Sequence, residues 1–186
     1  LKGQYFSPNF DKGYYYYKKS ADNKFSWAQV NLGLIYLDGK HCKQDIVKSI
    51  NFFELAGNKN NYIALFHLGE IYLNILKPNN VNKAIEYYKK AANLNHLRSQ
   101  KKLGYLFLEN KYVESNIDES IKYFSLSANN KNDAESQYKL GLIYFKSIYN
   151  KFDFNESIKY FELAAKQNFA EAEKQLGDIY YVGIYC

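Results

Sequence analysis

The chain holds few side chains of the kinds that bind metals or attack substrates. It has three histidines and two cysteines. His41, His67 and His96 have no second His or Cys at a spacing that would put two ligands on one helix face. Cys42 and Cys186 lie 144 positions apart, which matches no metal-ligand spacing. We therefore expect no metal site and no disulfide framework, which favours a cytoplasmic over a secretory location.

Motifs for catalysis and phosphate binding are also missing from the sequence. No Ser lies in a nucleophile-elbow pattern, and no Gly-rich phosphate loop is found. Acidic residues such as Glu54, Glu86 and Glu162 lie on predicted helices of the repeat and are explained as a solvated face. These observations predict a protein that is not an enzyme, with no catalytic residue and no bound cofactor.

The composition is that of a globular protein with a basic balance. Hydrophobic residues make up 47% and charged residues 24%, and the formal net charge is +6. Arg98 is the single Arg among 25 basic residues. Because recognition of bases and phosphates favours the Arg fork, this argues against a dedicated nucleic-acid protein. No stretch approaches 18 consecutive apolar residues, so we expect no membrane insertion.

The elements that carry these side chains are set by an internal repeat. A Leu-Gly pair recurs at spacings of 35 to 37, with an aromatic residue three positions after each Gly and a small residue four positions before each Leu. The Leu-Gly pairs begin at Leu32, Leu68, Leu103, Leu140 and Leu176. The small residues are Ala28, Ala64, Ser99, Ser136 and Ala172. Each copy has one apolar stripe at helical spacing, so it predicts a first helix.

A second block recurs out of phase with the first. Its copies start at positions 12, 48, 83, 119 and 156, and most carry two adjacent aromatic residues. This block predicts a second helix in each repeat. Asp45, Asn82, Asp118 and Asn155 lie where these helices should start, and Asn58, Asn93, Asn129 and Asn168 lie near their ends. The run Tyr14–Tyr17 aligns with this block, so we expect it to pack on both sides rather than to stack on bases.

The recurring Gly lies inside a helix, where it costs about 1 kcal/mol relative to Ala. Five copies of that cost predict a packing reason: a neighbouring helix comes close, with the small residue as hole and an aromatic ring as knob. One helix hairpin cannot bury its apolar face alone, so the repeats must stack.

The pattern Ala-x-x-x-Leu-Gly-x-x-Tyr, followed by Lys-Ala-x-x-Tyr-Tyr-x-x-Ala-Ala, resembles the Sel-one-like repeat (SLR) family, relatives of the tetratricopeptide repeat. The resemblance covers the chain from about Gly3 to Tyr181. It implies an all-α fold, a right-handed α-solenoid of antiparallel helix pairs with about ten helices. The family's inter-helix loop often carries Gly-x-Gly, for which only Gly3, Gly39 and Gly183 are candidates here, so we expect the middle loops to bend differently.

These patterns predict one solenoid domain over residues 1–186. The expected order is a partial repeat at 1–26, full repeats at 27–61, 62–96, 97–132 and 133–169, and a partial repeat at 170–186. The chain lacks an N-terminal Met and begins within a repeat, so we interpret it as a fragment of a longer repeat protein.

The related tetratricopeptide architecture implies that the first helices line a concave face that binds a peptide or protein. Three rows that vary between repeats are candidates for partner binding: Val30, Leu34, Asp38, Phe66, Glu70, Asn74, Lys101, Tyr105, Glu109, Tyr138, Leu142, Lys146, Lys174 and Asp178. Alternatively, the apolar members Val30, Leu34, Phe66 and Leu142 pack against the next repeat. The uniformly apolar row Leu37, Leu73, Leu108, Phe145 and Tyr181 is expected to be mostly core.

The favoured function is a non-enzymatic adaptor for protein–protein contact. The groove hypothesis predicts that Tyr105→Ala with Tyr138→Ala leaves thermal unfolding almost unchanged. Two alternatives stay open. One is a structural module that associates end to end through its open repeats. The other is a single-stranded RNA reader, suggested by Lys89-Lys90, Lys101-Lys102 and the net charge.

Overall fold

The computed structural model describes residues 9–76, 80–131, 133–146 and 149–183. Within those ranges the chain forms ten α-helices and no strand. They are α1 (Phe10–Asp22), α2 (Ser26–Asp38), α3 (Ile46–Gly57), α4 (Tyr62–Asn74), α5 (Val81–Asn93), α6 (Leu97–Leu108), α7 (Ile117–Lys131), α8 (Ala134–Phe145), α9 (Phe154–Ala165) and α10 (Ala170–Val182). The order agrees with the prediction of one second helix, four pairs and one first helix.

The helices divide into two compact units. Unit 1 spans Leu1–Leu94 and contains α1 to α5, and unit 2 spans Asn95–Cys186 and contains α6 to α10. The most extensive packing is within the pairs α2–α3, α4–α5, α6–α7 and α8–α9, and α1, α3, α7 and α9 also contact the first helix that follows them in the same unit. The single-domain boundaries given by the sequence stay a prediction.

Four of the five recurring Gly residues face a ring from the second helix of their own repeat. A Cβ built on Gly33, Gly69, Gly104 or Gly141 would lie 2.5–2.8 Å from a ring atom. The rings belong to Phe53, Tyr88, Phe124 and Phe161, and all four are fully buried. The predicted packing reason is therefore present, because the missing side chain of the Gly makes room for the ring.

The other ring of each aromatic doublet stacks on the aromatic residue three positions after Gly. The four stacked pairs are Tyr36–Phe52, Tyr72–Tyr87, Phe107–Tyr123 and Tyr144–Tyr160, with centroids 5.5–6.0 Å apart. Two adjacent rings thus fasten each helix pair, one against the backbone at Gly and one against a ring. Buried hydroxyls add to this in two repeats, where Ser49 and Ser120 donate hydrogen bonds to the carbonyl oxygens of Gly33 and Gly104.

Of the four residues predicted to cap the second helices, one is confirmed and three are wrong. Asp45 caps α3 and accepts a hydrogen bond from the Lys48 amide, as predicted. For α7 the side chain of Asn116 accepts from the Glu119 amide, and for α9 Asp153 is the cap. The predicted Asp118 and Asn155 lie two residues further along, inside their helices. In α5 the cap position is Asn80, and the predicted Asn82 is likewise helical.

In the described ranges, four of the five turns from second to first helices have one left-handed residue. Lys24, Asn60, Asn95 and Asn168 have φ of 58° to 62°. Of the residues predicted near helix ends, Asn168 is therefore confirmed as left-handed, whereas Asn58 and Asn93 are each two residues early and Asn129 is inside α7.

The turns that follow the first helices differ, as expected. Gly39 and Gly183 end α2 and α10 in the left-handed conformation, whereas Ile75, Glu109 and Lys146 end theirs in helical or extended conformations.

Two expectations about burial are wrong. Tyr15, Tyr16 and Tyr17 are exposed, because among the described helices α1 packs extensively on α2 alone. Tyr14 of the run is half-buried and shares a 2.7 Å hydrogen bond with Tyr36 of α2. In the row expected to be core, Leu73 is buried but Tyr181 is 94% exposed.

Candidate interaction surface

The predicted partner-binding rows lie on the first helices, and the structure divides them by burial. In unit 1 Val30 is buried with 2% of its surface exposed, so it cannot contact a partner and is removed from the candidate surface. Leu34, Phe66 and Glu70 are half-buried, and Asp38 and Asn74 are exposed. In unit 2 Lys101, Tyr105, Tyr138 and Leu142 are half-buried, and Glu109, Lys146, Lys174 and Asp178 are exposed.

The row members in the middle of α4 are held by the second helix of the same repeat. The Phe66 ring lies 5.9 Å from the Tyr88 ring, centroid to centroid. Glu70 accepts hydrogen bonds from the Tyr88 hydroxyl and from the Asn74 amide, the latter at 3.1 Å. These contacts hold Phe66 and Glu70 in defined orientations before any partner arrives.

A pocket of about 660 Å³ opens at the C-terminal ends of α2 and α4. Leu34, Ile35, Leu37 and Ile75 form its apolar wall, and Asp38, Lys40, His41 and Gln44 also line it. Leu34 and Asp38 were predicted as partner-binding residues, whereas Ile75 was not. Ile75 is 43% exposed although it is a large aliphatic side chain. The pocket thus combines apolar surface with charges of both signs.

In unit 2 the predicted Lys101 and Tyr105 of α6 meet α8. The Lys101 ammonium forms ion pairs with Glu135 and, at 3.3 Å, with Asp133. The Tyr105 hydroxyl donates a 2.6 Å hydrogen bond to Glu135, and the Lys139 ammonium lies 5.2 Å from the centre of the Tyr105 ring. We call these five residues the α6–α8 polar network. It joins two consecutive first helices through side chains alone.

Burial and hydrogen bonding oppose each other in the pKa values of this network. For Glu135, burial raises the pKa. Hydrogen bonds from Lys101 and Tyr105 and the charge of Lys101 lower the pKa by more than burial raises it, so the net shift is downward. For Lys101, burial lowers the pKa, yet the hydrogen bond to Glu135 and the nearby carboxylates raise it overall. Burial and then the bond to Glu135 raise the pKa of Tyr105. Lys101 and Glu135 therefore remain a charged pair across neutral pH.

Tyr105 and Tyr138 also contribute to the packing of unit 2. Tyr105 meets Phe124 edge to face at 5.2 Å, and Tyr138 lies 5.8 Å from Phe161 and 5.4 Å from Phe169, centroid to centroid. The expectation that replacing both by Ala leaves thermal unfolding unchanged is therefore corrected: the double variant loses ring contacts with Phe124 and Phe161, which are fully buried.

Sequence reasoning missed Glu135, which is the centre of the network. A signal for it exists in the repeat register. Five positions before each Leu of the Leu-Gly pair the chain has Trp27, Ile63, Arg98, Glu135 and Glu171, a row as variable as those that were chosen.

The side chains suited to metals are used in packing. His41 stacks on Phe10 at 4.5 Å, His67 stacks on Phe53 at 5.2 Å, and His96 shares a 2.8 Å hydrogen bond with Ser99. Cys42 is a free thiol, and Cys186 lies outside the described residues. In the described ranges no group of three or more His, Cys, Asp or Glu side chains could hold a metal ion. Likewise, no described helix has the length and apolarity needed to cross a bilayer.

Comparison with known proteins connects this geometry to a family. A family model described as Sel1 repeat matches residues 1–25, 28–61, 63–96, 97–132 and 134–169. A sel1-like repeat-containing protein of Acanthamoeba polyphaga mimivirus is 37% identical over 107 residues, which cover 58% of this chain and 19% of that protein. An uncharacterized protein of Neisseria meningitidis serogroup B is 28% identical over 109 residues, covering 59% and 22%. The chain thus spans about a fifth of the length of these relatives.

Solved structures agree with the fold. The Sel1 repeat protein of Oxalobacter formigenes superposes with a TM-score of 0.73 at 28% identity, covering 93% of this chain and 71% of that one. A protective antigen of uropathogenic Escherichia coli that displays an SLR fold gives a TM-score of 0.70 at 28% identity, covering 91% and 36%. These matches confirm the predicted all-α repeat solenoid. With five repeats matched along most of its length, the chain belongs to the Sel1 repeat family.

Proposed function

We propose that this chain is a non-enzymatic scaffold that holds a peptide or a partner protein against its first helices. Sel1 repeat proteins in general mediate contacts between proteins and are not catalytic. The observation that carries the proposal for this chain is the pocket of about 660 Å³ at the C-terminal ends of α2 and α4. An apolar wall beside charged residues is typical of a protein-binding surface.

The pocket offers a partner both anchoring and orientation. Ile75, Leu34 and Leu37 supply apolar area that a partner side chain would remove from water. Asp38 and Lys40 line the same pocket with opposite charges, so they select among partners by the sign of the charges that flank the anchor. The rest of the row in unit 1, Phe66 and Glu70, continues this surface along α4.

In unit 2 the α6–α8 polar network supports the same role. Its side chains are already hydrogen-bonded, so a partner that binds beside them loses little additional side-chain entropy. The exposed Glu109, Lys146, Lys174 and Asp178 of the predicted rows supply charges for contact.

The pocket is tested by replacing its exposed aliphatic residue. Peptides would be selected from a displayed library on the immobilised chain, and their affinities measured by fluorescence polarisation. Ile75→Asp should weaken the selected peptides by about tenfold or more, because it places a carboxylate on the apolar wall. Val47→Asp is the matched control, since Val47 is 69% exposed on α3 and lines no pocket described here.

Both variants should keep the thermal midpoint of the wild type, because both side chains are exposed. Equal loss of binding in the two variants, or a library that yields no binding peptide, contradicts the proposal. The RNA alternative predicts instead a gel shift with single-stranded RNA that weakens steeply with salt. The end-to-end alternative predicts an association that rises with concentration in ultracentrifugation.

A further inference from the structure

Unit 1 exposes three aromatic side chains at one edge. Phe25, Trp27 and Tyr62 lie at the N-terminal ends of α2 and α4, and they are 56%, 44% and 38% exposed. The Trp27 and Tyr62 rings meet edge to face with centroids 6.5 Å apart. We call these three residues the aromatic edge. It lies at the opposite ends of α2 and α4 from the pocket that contains Ile75.

The aromatic edge is larger than the scattered exposure of single apolar residues. Aromatic side chains of this size have about 150–250 Å² of surface, so three that are roughly half exposed present on the order of 300 Å². Patches of that size on a protein surface are often functional. Trp and Tyr are also the residue types most enriched where single side chains dominate binding to a partner.

The repeat itself does not require this edge. The positions equivalent to Trp27 are Ile63, Arg98, Glu135 and Glu171, and those equivalent to Tyr62 are Ser26, Leu97, Ala134 and Ala170, none of them aromatic. Phe25 corresponds to Asn61, His96, Asp133 and Phe169, so a ring recurs there in one other repeat. Packing common to all repeats therefore does not explain the ring pair of Trp27 and Tyr62.

Two lysines accompany the rings. The Lys59 ammonium donates a hydrogen bond to the backbone carbonyl of Lys24, which joins the turn after α3 to the turn after α1. Lys24 immediately precedes Phe25 in the chain. Both lysines are exposed, and the hydrogen bond places the Lys59 ammonium at the peptide bond that joins Lys24 to Phe25.

Lys24 occupies a backbone conformation that does not suit it. Its φ is 62°, and the equivalent turns have Asn60, Asn95 and Asn168 in the same left-handed region. Asn tolerates this region because its short polar side chain can hydrogen-bond locally, whereas Lys has no such compensation. Backbone conformation alone would therefore favour Asn over Lys at position 24.

The charge of the whole chain points to the same unit. Unit 1 has 13 Lys against 7 Asp and Glu, and unit 2 has 12 Lys and Arg against 12 Asp and Glu. The formal charge of +6 therefore resides entirely in unit 1. Such a unit attracts acidic partners and repels basic ones.

We propose that the aromatic edge docks an acidic segment of a partner protein. An apolar side chain of that segment covers Trp27 and Tyr62, and carboxylates on either side of it pair with Lys24 and Lys59. This inference rests on the proposed role of the chain as a protein scaffold, and it names a second surface and the chemistry of the partner that fits it.

The test uses Trp27 as its own reporter, because it is the single Trp in the chain. Short peptides with a central Leu-Phe pair, flanked by Glu, by Ser or by Lys, would be titrated into the intact chain. The Glu-flanked peptide should shift the Trp emission to shorter wavelength as the indole leaves water. It should bind about tenfold tighter than the Ser-flanked peptide at low salt, and this advantage should shrink as salt is added.

Variants separate the two parts of the edge. Trp27→Ser, followed with fluorescently labelled peptide, should weaken binding about 30-fold, as for the dominant residues of other interfaces. Lys24→Asn should weaken the Glu-flanked peptide several-fold and leave the Ser-flanked peptide unchanged, while the thermal midpoint stays equal or rises. Val47→Ser on α3 is the control and should change neither measurement.

Several results would overturn the inference. The first is equal affinity for the Glu-flanked and Ser-flanked peptides, and the second is a Trp emission wavelength that does not change on titration. The third is a competition result in which single-stranded oligouridine displaces the labelled Glu-flanked peptide at a lower concentration than the unlabelled peptide does. Ile75→Asp must leave the Glu-flanked peptide bound. If the library peptides bind and Ile75→Asp weakens them, but the Glu-flanked peptide does not bind, then docking at the aromatic edge is refuted and the scaffold proposal stands.

Discussion

The recurring Gly offers a sharp test of how the helix pairs are held together. In Gly141→Ala the new Cβ would lie 2.6 Å from two atoms of the Phe161 ring, which is fully buried. Gly177 occupies the equivalent repeat position in α10, and among the described residues a Cβ there has no atom within 4 Å apart from its chain neighbours and its own helix backbone. The same substitution at these two sites therefore isolates the close approach of the ring from the intrinsic helix preference of Ala.

The expected magnitudes follow from two opposing effects. Ala is favoured over Gly inside a helix by about 1 kcal/mol, and this gain applies at both sites. Inserting a methyl group into a packed core costs about 1–3 kcal/mol, and at 2.6 Å the upper part of that range applies. Gly141→Ala should therefore destabilise the fold by about 1–2 kcal/mol, whereas Gly177→Ala should stabilise it by up to about 1 kcal/mol.

Thermal unfolding followed by far-UV circular dichroism measures the difference. For a chain of this length, each kcal/mol shifts the midpoint by about 2–4 °C, so the two variants should differ by about 5–10 °C. A second substitution tests whether the ring causes this loss of stability. Phe161→Leu removes ring atoms next to Gly141, so Gly141→Ala should destabilise the fold less in that background than in the wild type.

Two results would refute this reasoning. The first is a Gly141→Ala variant as stable as Gly177→Ala, which would mean that the ring does not need the space above the Gly. The second is additivity of Gly141→Ala and Phe161→Leu, which would place the cost somewhere other than this contact.

Further predictions concern polar contacts in unit 2. Glu135→Gln should destabilise unit 2 by about 1 kcal/mol, since hydrogen bonds to charged groups are worth more than that but the carboxylate is partly exposed. The folded pKa of Glu135 lies below its ordinary value of 4.5. The stability that the Glu135 carboxylate contributes is therefore present above pH 4.5 and is lost as the pH falls through the folded pKa. In urea unfolding, the stabilities of the variant and the wild type should converge in acid. A difference that persists at low pH would assign the effect to shape and not to charge. Ser120→Ala should cost about 1 kcal/mol by removing the hydroxyl that donates to the Gly104 carbonyl at 2.9 Å. A variant indistinguishable from wild type in the same unfolding measurement would show that this buried hydroxyl adds nothing.

The helix starts show where local sequence rules reach their limit. Near α7 the chain has Asn116 and Asp118, and near α9 it has Asp153 and Asn155. Either member of each pair could cap a helix, because both types accept a hydrogen bond from a backbone amide. The structure selects the earlier residue, whose own amide donates to the carbonyl oxygen of Phe107 in one case and of Tyr144 in the other, at 2.8 and 2.9 Å. The choice is thus made by a contact with the preceding helix, which local spacing does not contain.

The candidate surface shows the same limit more strongly. Val30, Leu34 and Tyr105 belong to rows that vary between repeats, and variation alone left open whether Val30 and Leu34 face a partner or pack against the next repeat. Only the packed structure separates Val30, which is buried, from Leu34, which borders a pocket. It also pairs Tyr105 with Glu135, which lies 30 residues away in the chain.

The sequence alone determined the repeat, the order and approximate bounds of its helices, and the close approach at Gly. These properties depend on contacts within one repeat of about 36 residues, so they recur in the sequence as a period that can be counted. The tertiary structure alone decided which ring fills the space above each Gly, which variable residues reach the surface, and where apolar side chains stay exposed at Ile75 and along the aromatic edge. Those outcomes depend on which atoms of neighbouring helices lie close enough to a given side chain to exclude water from it. The periodic pattern of the sequence does not encode the distances between those atoms.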